Sequence, residues 1–188
     1  GMAFGTGGHP STQLCLDALI DVDPAGMTVA DIGVGSGILA ISALKLGAVS
    51  VRGVDVDERV IPIARENAEK NGVDDLMDAS VGDVTQVEGQ YDLVLMNILA
   101  EVIVPALPSV APRLAPGGTA IFAGIADHDA DRVENALRAG RWTIQDPNRN
   151  EGWTAFVPQY AGGEQAARGF VRHGERASRG EQAQRASA

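Results

Sequence analysis

The sequence predicts an α/β fold: one domain on an open, mostly parallel seven-stranded sheet, with helices on both faces and an antiparallel C-terminal hairpin. Three observations predict it. Short Val- and Ile-rich runs alternate with longer stretches of helical period, the pattern of a parallel sheet covered on both sides. A glycine loop, Gly33 to Gly37, follows the first of these runs and opens a helix. The last two apolar runs have no helix between them, only D-P-N-R-N-E-G, so they are expected to pair as a hairpin.

In chain order, a helix near 10–21 starts at Pro10 and Ser11, both suited to a first turn. A strand near 28–33, the glycine loop and a helix near 37–46 follow, then a strand near 51–55 and a helix near 58–71 that Asn71-Gly72 ends. Strands are expected near 78–82 and 91–96. The helix near 99–114 holds Pro105, Pro108 and Pro112, each of which removes a backbone donor and argues for a kink. Pro116-Gly117-Gly118 stops it before a strand near 119–123. A helix near 127–139, ended at Ala139-Gly140, leads to the last two strands, near 142–146 and 153–157. The domain is expected to span 1–159. Residues 160–188, rich in Gly, Ala, Arg and Gln with almost no large apolar side chain, read as a disordered tail.

Composition narrows the function classes. With 188 residues and 45% hydrophobic side chains the chain can bury a sizeable core. No apolar run approaches the roughly 18 to 20 residues of a bilayer span, and no basic stretch leads into an apolar one at the N-terminus, so a soluble, cytoplasmic protein without membrane contact is expected. Cys15 is alone, which excludes an internal disulfide, and among the Leu and Ala residues of the first helix it reads as a packed core thiol. His9, His128 and His173 are too scattered for a metal site. D-H-D-A-D, Asp127 to Asp131, fits acidic residues facing the positive end of a helix. The net charge is −10, and residues 160–188 contribute +2, so the body carries −12. An acidic body with only 8 aromatic residues is a poor partner for nucleic acid, and no direct nucleic-acid contact is expected.

The chemistry concentrates around T-V-A-D-I-G-V-G-S-G-I-L-A-I, Thr28 to Ile41, a buried strand entering a glycine loop and a helix. Ligands of open α/β sheets bind where such strands end. Gly33, Gly35 and Gly37 let the backbone turn tightly and approach a ligand. A dinucleotide fingerprint requires Gly at position 38, where Ile38 stands. Asp55 ends the second strand, 22 residues after Gly33, where a carboxylate can accept both hydroxyls of a ribose. Asp57 is better placed to cap the next helix. Asn97 ends the fourth strand, Y-D-L-V-L-M-N, and faces the same crevice; its amide oxygen can accept from an amine, or its NH₂ can donate to a cofactor.

The G-x-G-x-G spacing after Asp31 resembles the S-adenosyl-L-methionine-dependent methyltransferases, and that superfamily commonly holds the adenine amino group where Asp83 stands. F-G-T-G-G-H-P-S-T, D-I-G-V-G-S-G and N-I-L-A together resemble the family that methylates protein eleven of the large ribosomal subunit, over about residues 1–157. The resemblance implies a Rossmann-like methyltransferase sheet, S-adenosyl-L-methionine as cofactor and a ribosomal protein amine as acceptor. By position it implies Thr12, Gly33, Asp55 and Asn97 as cofactor contacts, with His9 and Phe4 shaping the pocket. Gly35 and Asp83 complete the expected cofactor set, and Asn97 is the expected catalytic residue. Ser11 replaces the first Thr of the family's T-T pair and keeps its hydroxyl. Full-length members carry an additional N-terminal domain that grips the ribosomal protein, and this sequence begins at the catalytic motifs. A small-molecule methyltransferase, a non-catalytic S-adenosylmethionine-binding module, a nucleic-acid methyltransferase and a nicotinamide dehydrogenase stand as alternatives; the charge opposes the third and Ile38 the fourth. The absence of N-P-P-Y argues against methylation of adenine or glutamine.

Overall fold

The computed structural model describes residues 7–161. In chain order its elements are α1 (Pro10–Val22), β1 (Thr28–Ile32), α2 (Ile38–Lys45), β2 (Ser50–Asp55), α3 (Val60–Lys70), β3 (Met77–Val81) and β4 (Tyr91–Asn97). Then come α4 (Ala100–Val110), β5 (Leu114–Ala126), α5 (Ala130–Ala139), β6 (Trp142–Thr143), β7 (Asn148–Asn150), β8 (Trp153–Phe156) and β9 (Gln159–Tyr160). All nine strands join one sheet in the order β3-β2-β1-β4-β5-β8-β7, with β9 between β5 and β6. β3, β2, β1, β4 and β5 are parallel, and β8 runs antiparallel to β5.

Alternating side chains on the strands build two cores. Val29, Leu93, Leu95 and Ile121 face α1, α2 and α3, packing on Leu14, Leu19, Leu39 and Ile61. Ala30, Val54, Val94, Met96 and Phe122 face α4 and α5, packing on Ile103, Leu107, Val133 and Leu137. The central strand β4 is buried on both faces, which is why L-V-L-M reads as an unbroken apolar run rather than an alternating one. Each such side chain contributes about 1.5–3 kcal/mol by leaving water. The strand order reverses between β1 and β4, so the crossover connections leave both strands upward on opposite sides and open a crevice at their carboxyl ends.

The C-terminal part departs from the sequence reading. Strand 142–146 shrinks to β6, which pairs with β9 rather than with β8. The hairpin expected to join 142–146 to 153–157 instead joins β7 to β8, and β7 lies within D-P-N-R-N-E-G, expected to be loop. Pro147 has no N–H for a ladder, so the chain bends there and starts a new strand. Glu151 at φ 46° and Gly152 at φ 84° make the tight turn. Trp142 fastens β6, its ring lying 5.0 Å from Tyr160 and 5.6 Å from Phe122. β9 ends at Tyr160, one residue past the expected boundary at 159, and residues 162–188 of the expected tail lie outside the described residues.

The prolines do not break the helix near 99–114. α4 runs through Pro105 and Pro108, and Pro112 sits in a 3₁₀ turn that ends it. Both interior prolines lie on the exposed face, within reach of solvent for the carbonyls they leave unpaired.

Candidate active site

A cleft of about 770 Å³ lies at the carboxyl ends of β1, β2, β4 and β5, bordered by Gly33, Asp55, Asp83, Asn97, Gly124 and Trp153 among others. Two crowded glycines shape its floor. The turn Asn97-Ile98-Leu99 crosses from β4 to α4 over β5, with the Ile98 N–H donating to Ala123 O at 3.2 Å. A Cβ on Gly124, whose φ is +77°, would stand 2.7 Å from Ile98 O and 2.8 Å from Ile98 N. At Gly33, φ +85°, a Cβ would meet Ile98 Cγ2 at 2.7 Å. Gly33 is therefore required by a neighbouring side chain as well as by the turn itself.

Hydrogen bonds lock the glycine loop. Gly33 and Val34 donate to Val54 O at 2.8 and 3.0 Å, and Gly35 N–H donates to Asp55 Oδ2 at 2.9 Å. Asp55 Oδ1 accepts from Asp57 N–H at 3.0 Å. Each carboxylate oxygen keeps a second lone pair, so Asp55 can still accept from hydroxyls while fixing the loop. Gly37 at the N-cap of α2 has no side chain to cap the helix, and Asp31 from β1 does it instead, accepting the Ala40 N–H at 3.1 Å. Asp31 is 1% exposed and its Oδ1 has no partner. Desolvation pushes its pKa up to about 8, the Ala40 hydrogen bond opposes that rise, and the Asp55 charge adds to it.

α1 closes the other side. Asn97 Nδ2 donates to Thr12 Oγ1 at 3.3 Å, which leaves Asn97 Oδ1 buried and without a partner. Ser11, beside Thr12, borders the cleft. Its backbone N–H and its Oγ lie 3.2 and 2.8 Å from His9 Nδ1. The His9 ring stands edge-on to Trp153, centroids 4.7 Å apart.

Of the six expected cofactor residues, Gly33, Asp55, Asp83 and Asn97 border the cleft. Thr12 stands behind Asn97 and Gly35 behind Asp55, each holding a residue that borders it. Asp83 caps the 3₁₀ turn Val84–Gln86: its Oδ1 accepts from the Thr85 N–H and hydroxyl at 2.7 and 2.6 Å, which holds its carboxyl below the usual range. Asp57 binds the Arg59 backbone and guanidinium in the turn before α3; the N-cap of α3 is Arg59 without a side-chain cap, so Asp57 braces the turn and does not cap the helix as expected. Cys15 is buried, and desolvation pushes its thiol pKa up, as suits core packing. Asp127 takes the Thr154 hydroxyl at 2.6 Å and Arg149 at 3.1 Å, and no metal-binding group of three His, Cys, Asp or Glu occurs among the described residues. Phe4 lies outside them.

Sequence reasoning missed Ile98, Gly124 and Trp153 as parts of the site. Gly124, a glycine inside a β-branched and aromatic run, is the usual sign of close backbone approach. Nothing local distinguished Trp153, because its strand was recognisable but its neighbours were not.

Among the described residues, Asp55, Asp83 and Glu101 are the charged ones that border the cleft, and Asp31 lies beneath its glycine loop. An anionic pyrophosphate would meet carboxylates there. Asn97 Oδ1, buried and unpartnered, needs a donor, and Asp31, protonated in the ligand-free fold, can ionise against a cation. S-adenosylmethionine carries an ammonium, ribose hydroxyls and a sulfonium, so its chemistry fits this set of acceptors. Sheet order, glycine loop and acidic strand ends together define a Rossmann-like domain of the S-adenosylmethionine-dependent methyltransferase class. Within that class the chain belongs to the family described as Ribosomal protein L11 methyltransferase (PrmA), whose model it matches over residues 1–160. It is 44% identical over 158 residues to the protein of that name from Exiguobacterium sp., covering 84% of this chain and 51% of the relative. The relative from Symbiobacterium thermophilum is 42% identical over 158 residues, with the same 84% and 51% coverage. The crystal structure of ribosomal protein L11 methylase from Lactobacillus delbrueckii subsp. bulgaricus superposes with a TM-score of 0.73 at 34% identity, covering 79% of this chain and 77% of that one. The chain spans about half the length of the curated relatives it matches.

Proposed function

We propose that this domain works in the cytoplasm as the catalytic part of an enzyme that methylates a ribosomal protein on an amine, with S-adenosylmethionine as donor. The observation that carries the amine assignment is Asn97: Thr12 accepts from one N–H of its amide, and its Oδ1, at the end of the central strand, is buried without a partner. An amine supplies the N–H which that oxygen needs.

The residues then divide by chemistry. Asp55 accepts from the ribose, Asp83 from the adenine amino group through its remaining oxygen, and Gly33 allows close approach of the backbone. Asp31 beneath the loop suits the cofactor's ammonium. The bound sulfonium supplies an activated methyl group, so the protein's task is to orient the nucleophile and exclude water. For a lysine acceptor, deprotonation from about pKa 10.4 to pH 7 costs roughly 4.6 kcal/mol. Burial beside a positive sulfonium lowers that cost, because both disfavour the ammonium form.

Incubation of purified ribosomal protein with this chain and radiolabelled cofactor tests the reading. Mass spectrometry should locate the methyl on a lysine side chain or terminal amine. Label confined to carboxylates would refute the amine assignment.

A further inference from the structure

We propose that Ser11 and His9 form the route by which the acceptor amine loses its proton, an inference that rests on the amine reading above. A protonated amine has no lone pair with which to attack the methyl group, so some group must take its proton. Asp55 and Asp83 already accept from backbone donors, Asp31 lies under the glycine loop, and Glu101 is an exposed residue in the first turn of α4. Ser11 is different: it borders the cleft, is 3% exposed, and stands two residues after His9, which caps α1.

The tautomer of His9 follows from the geometry. A backbone N–H only donates, so the Ser11 N–H, 3.2 Å from His9 Nδ1, requires a lone pair on that nitrogen. The Ser11 hydroxyl, 2.8 Å from the same nitrogen, must then donate to it as well. With its proton committed to His9, Ser11 Oγ offers only lone pairs to the cleft, and an ammonium N–H is what it accepts. Trp153, edge-on to the imidazole at 4.7 Å, fixes the ring.

The step balances. The ammonium gives one proton to Ser11 Oγ as the Ser11 hydroxyl proton passes to His9 Nδ1, leaving a neutral amine and an imidazolium. The amine lone pair then forms the N–C bond while the C–S bonding pair returns to sulfur. A methylated ammonium and a neutral thioether result, and the imidazolium later loses its proton to water. The other titratable groups on α1 are Cys15, Asp17 and Asp21. On the elements packed against α1, they are Lys45 on α2, Tyr91 and Asp92 at the far end of β4, and Arg149 on β7; β5 and β8 carry none. Asp31 on β1 acts on Cys15 from behind.

Single-turnover methyl transfer to the ribosomal protein, followed against pH with the full chain, tests the route. The unsubstituted rate should rise with pH to a plateau. Ser11→Ala and His9→Gln should lower the rate at pH 7 by about 100-fold and replace the plateau by a climb continuing above about pH 9, where the acceptor titrates by itself. Ser11→Thr should restore the plateau, and calorimetric affinity of Ser11→Ala for the cofactor should change less than about twofold. Nitrogen NMR of histidine-labelled protein should show His9 Nδ1 unprotonated and Nε2 protonated at neutral pH, with the Nδ1 resonance moved by Ser11→Ala. A Ser11→Ala variant that methylates an amine with the original pH profile, equal losses of rate and affinity, or a proton on Nδ1 would overturn the route. Methyl found on no amine would overturn the function on which it rests.

Discussion

Replacing Gly124 by Ala isolates the contact that seats the Asn97-Ile98-Leu99 turn. Gly124 has φ +77°, and an added Cβ would come within 2.7 Å of Ile98 O and 2.8 Å of Ile98 N. Those atoms are backbone and cannot rotate away. Gly26 supplies the control, with φ +78° and nothing within 4 Å of its Cβ position. Left-handed backbone costs Ala about 1–2 kcal/mol, offset by about 0.4–1 kcal/mol from a less flexible unfolded chain, so Gly26→Ala should lose about 1 kcal/mol. Gly124→Ala carries the same backbone cost plus about 1–3 kcal/mol for forced displacement of packed atoms, and should lose about 2–4 kcal/mol. Urea unfolding with a common m-value measures both. Cofactor affinity should fall for Gly124→Ala and stay unchanged for Gly26→Ala, because only the former moves Asn97. Equal losses of stability at the two sites would refute the claim that the Ile98 backbone closes over Gly124.

Three further outcomes follow from the site. Asp31, held near pKa 8 by burial, keeps a proton in the folded state that the unfolded chain releases near pH 4, so the ligand-free protein should lose stability as pH rises from about 4 to about 8. Asp31→Asn should flatten that fall, as urea midpoints at pH 5 and pH 8 will show. Asp55→Ala should weaken cofactor binding by about 2 to 3 kcal/mol, through lost hydroxyl contacts and an unlatched Gly35, while Asp57→Ala does much less; calorimetry of the two variants reads the order. Asn97→Ala should reduce the rate of methyl transfer far more than it reduces cofactor affinity, and equal losses would make Asn97 a cofactor contact only.

What the sequence made legible was decided by locality. β1, the glycine loop and α2 follow from contiguous residues, because a Val-rich run, positive-φ glycines and a helical period each leave a local trace. The same holds for Asp55 and Asn97, which sit at strand ends that hydrophobicity marks. β6, β7 and β9 were misread because two- and three-residue strands have no period, and what holds them is distant: Trp142 against Tyr160 and Phe122, and the Ala120 N–H donating to Pro158 O at 2.9 Å. Asp31 was legible as part of a motif but not as the cap of α2, since that hydrogen bond joins residues nine apart through a fold that must already exist. The pairing of Thr12 with Asn97, 85 residues apart, was implied by motif resemblance only to the extent that both belong to the same site.

We infer that this acidic cleft takes a cationic S-adenosyl cofactor and not a dinucleotide. Isothermal titration of the chain with S-adenosylmethionine, with its demethylated product and with NAD tests it directly. Saturable binding of the first two, weakened together in Asp55→Ala, with no heat from NAD, is the expected result. Micromolar binding of NAD with no response to the sulfonium ligand would contradict it.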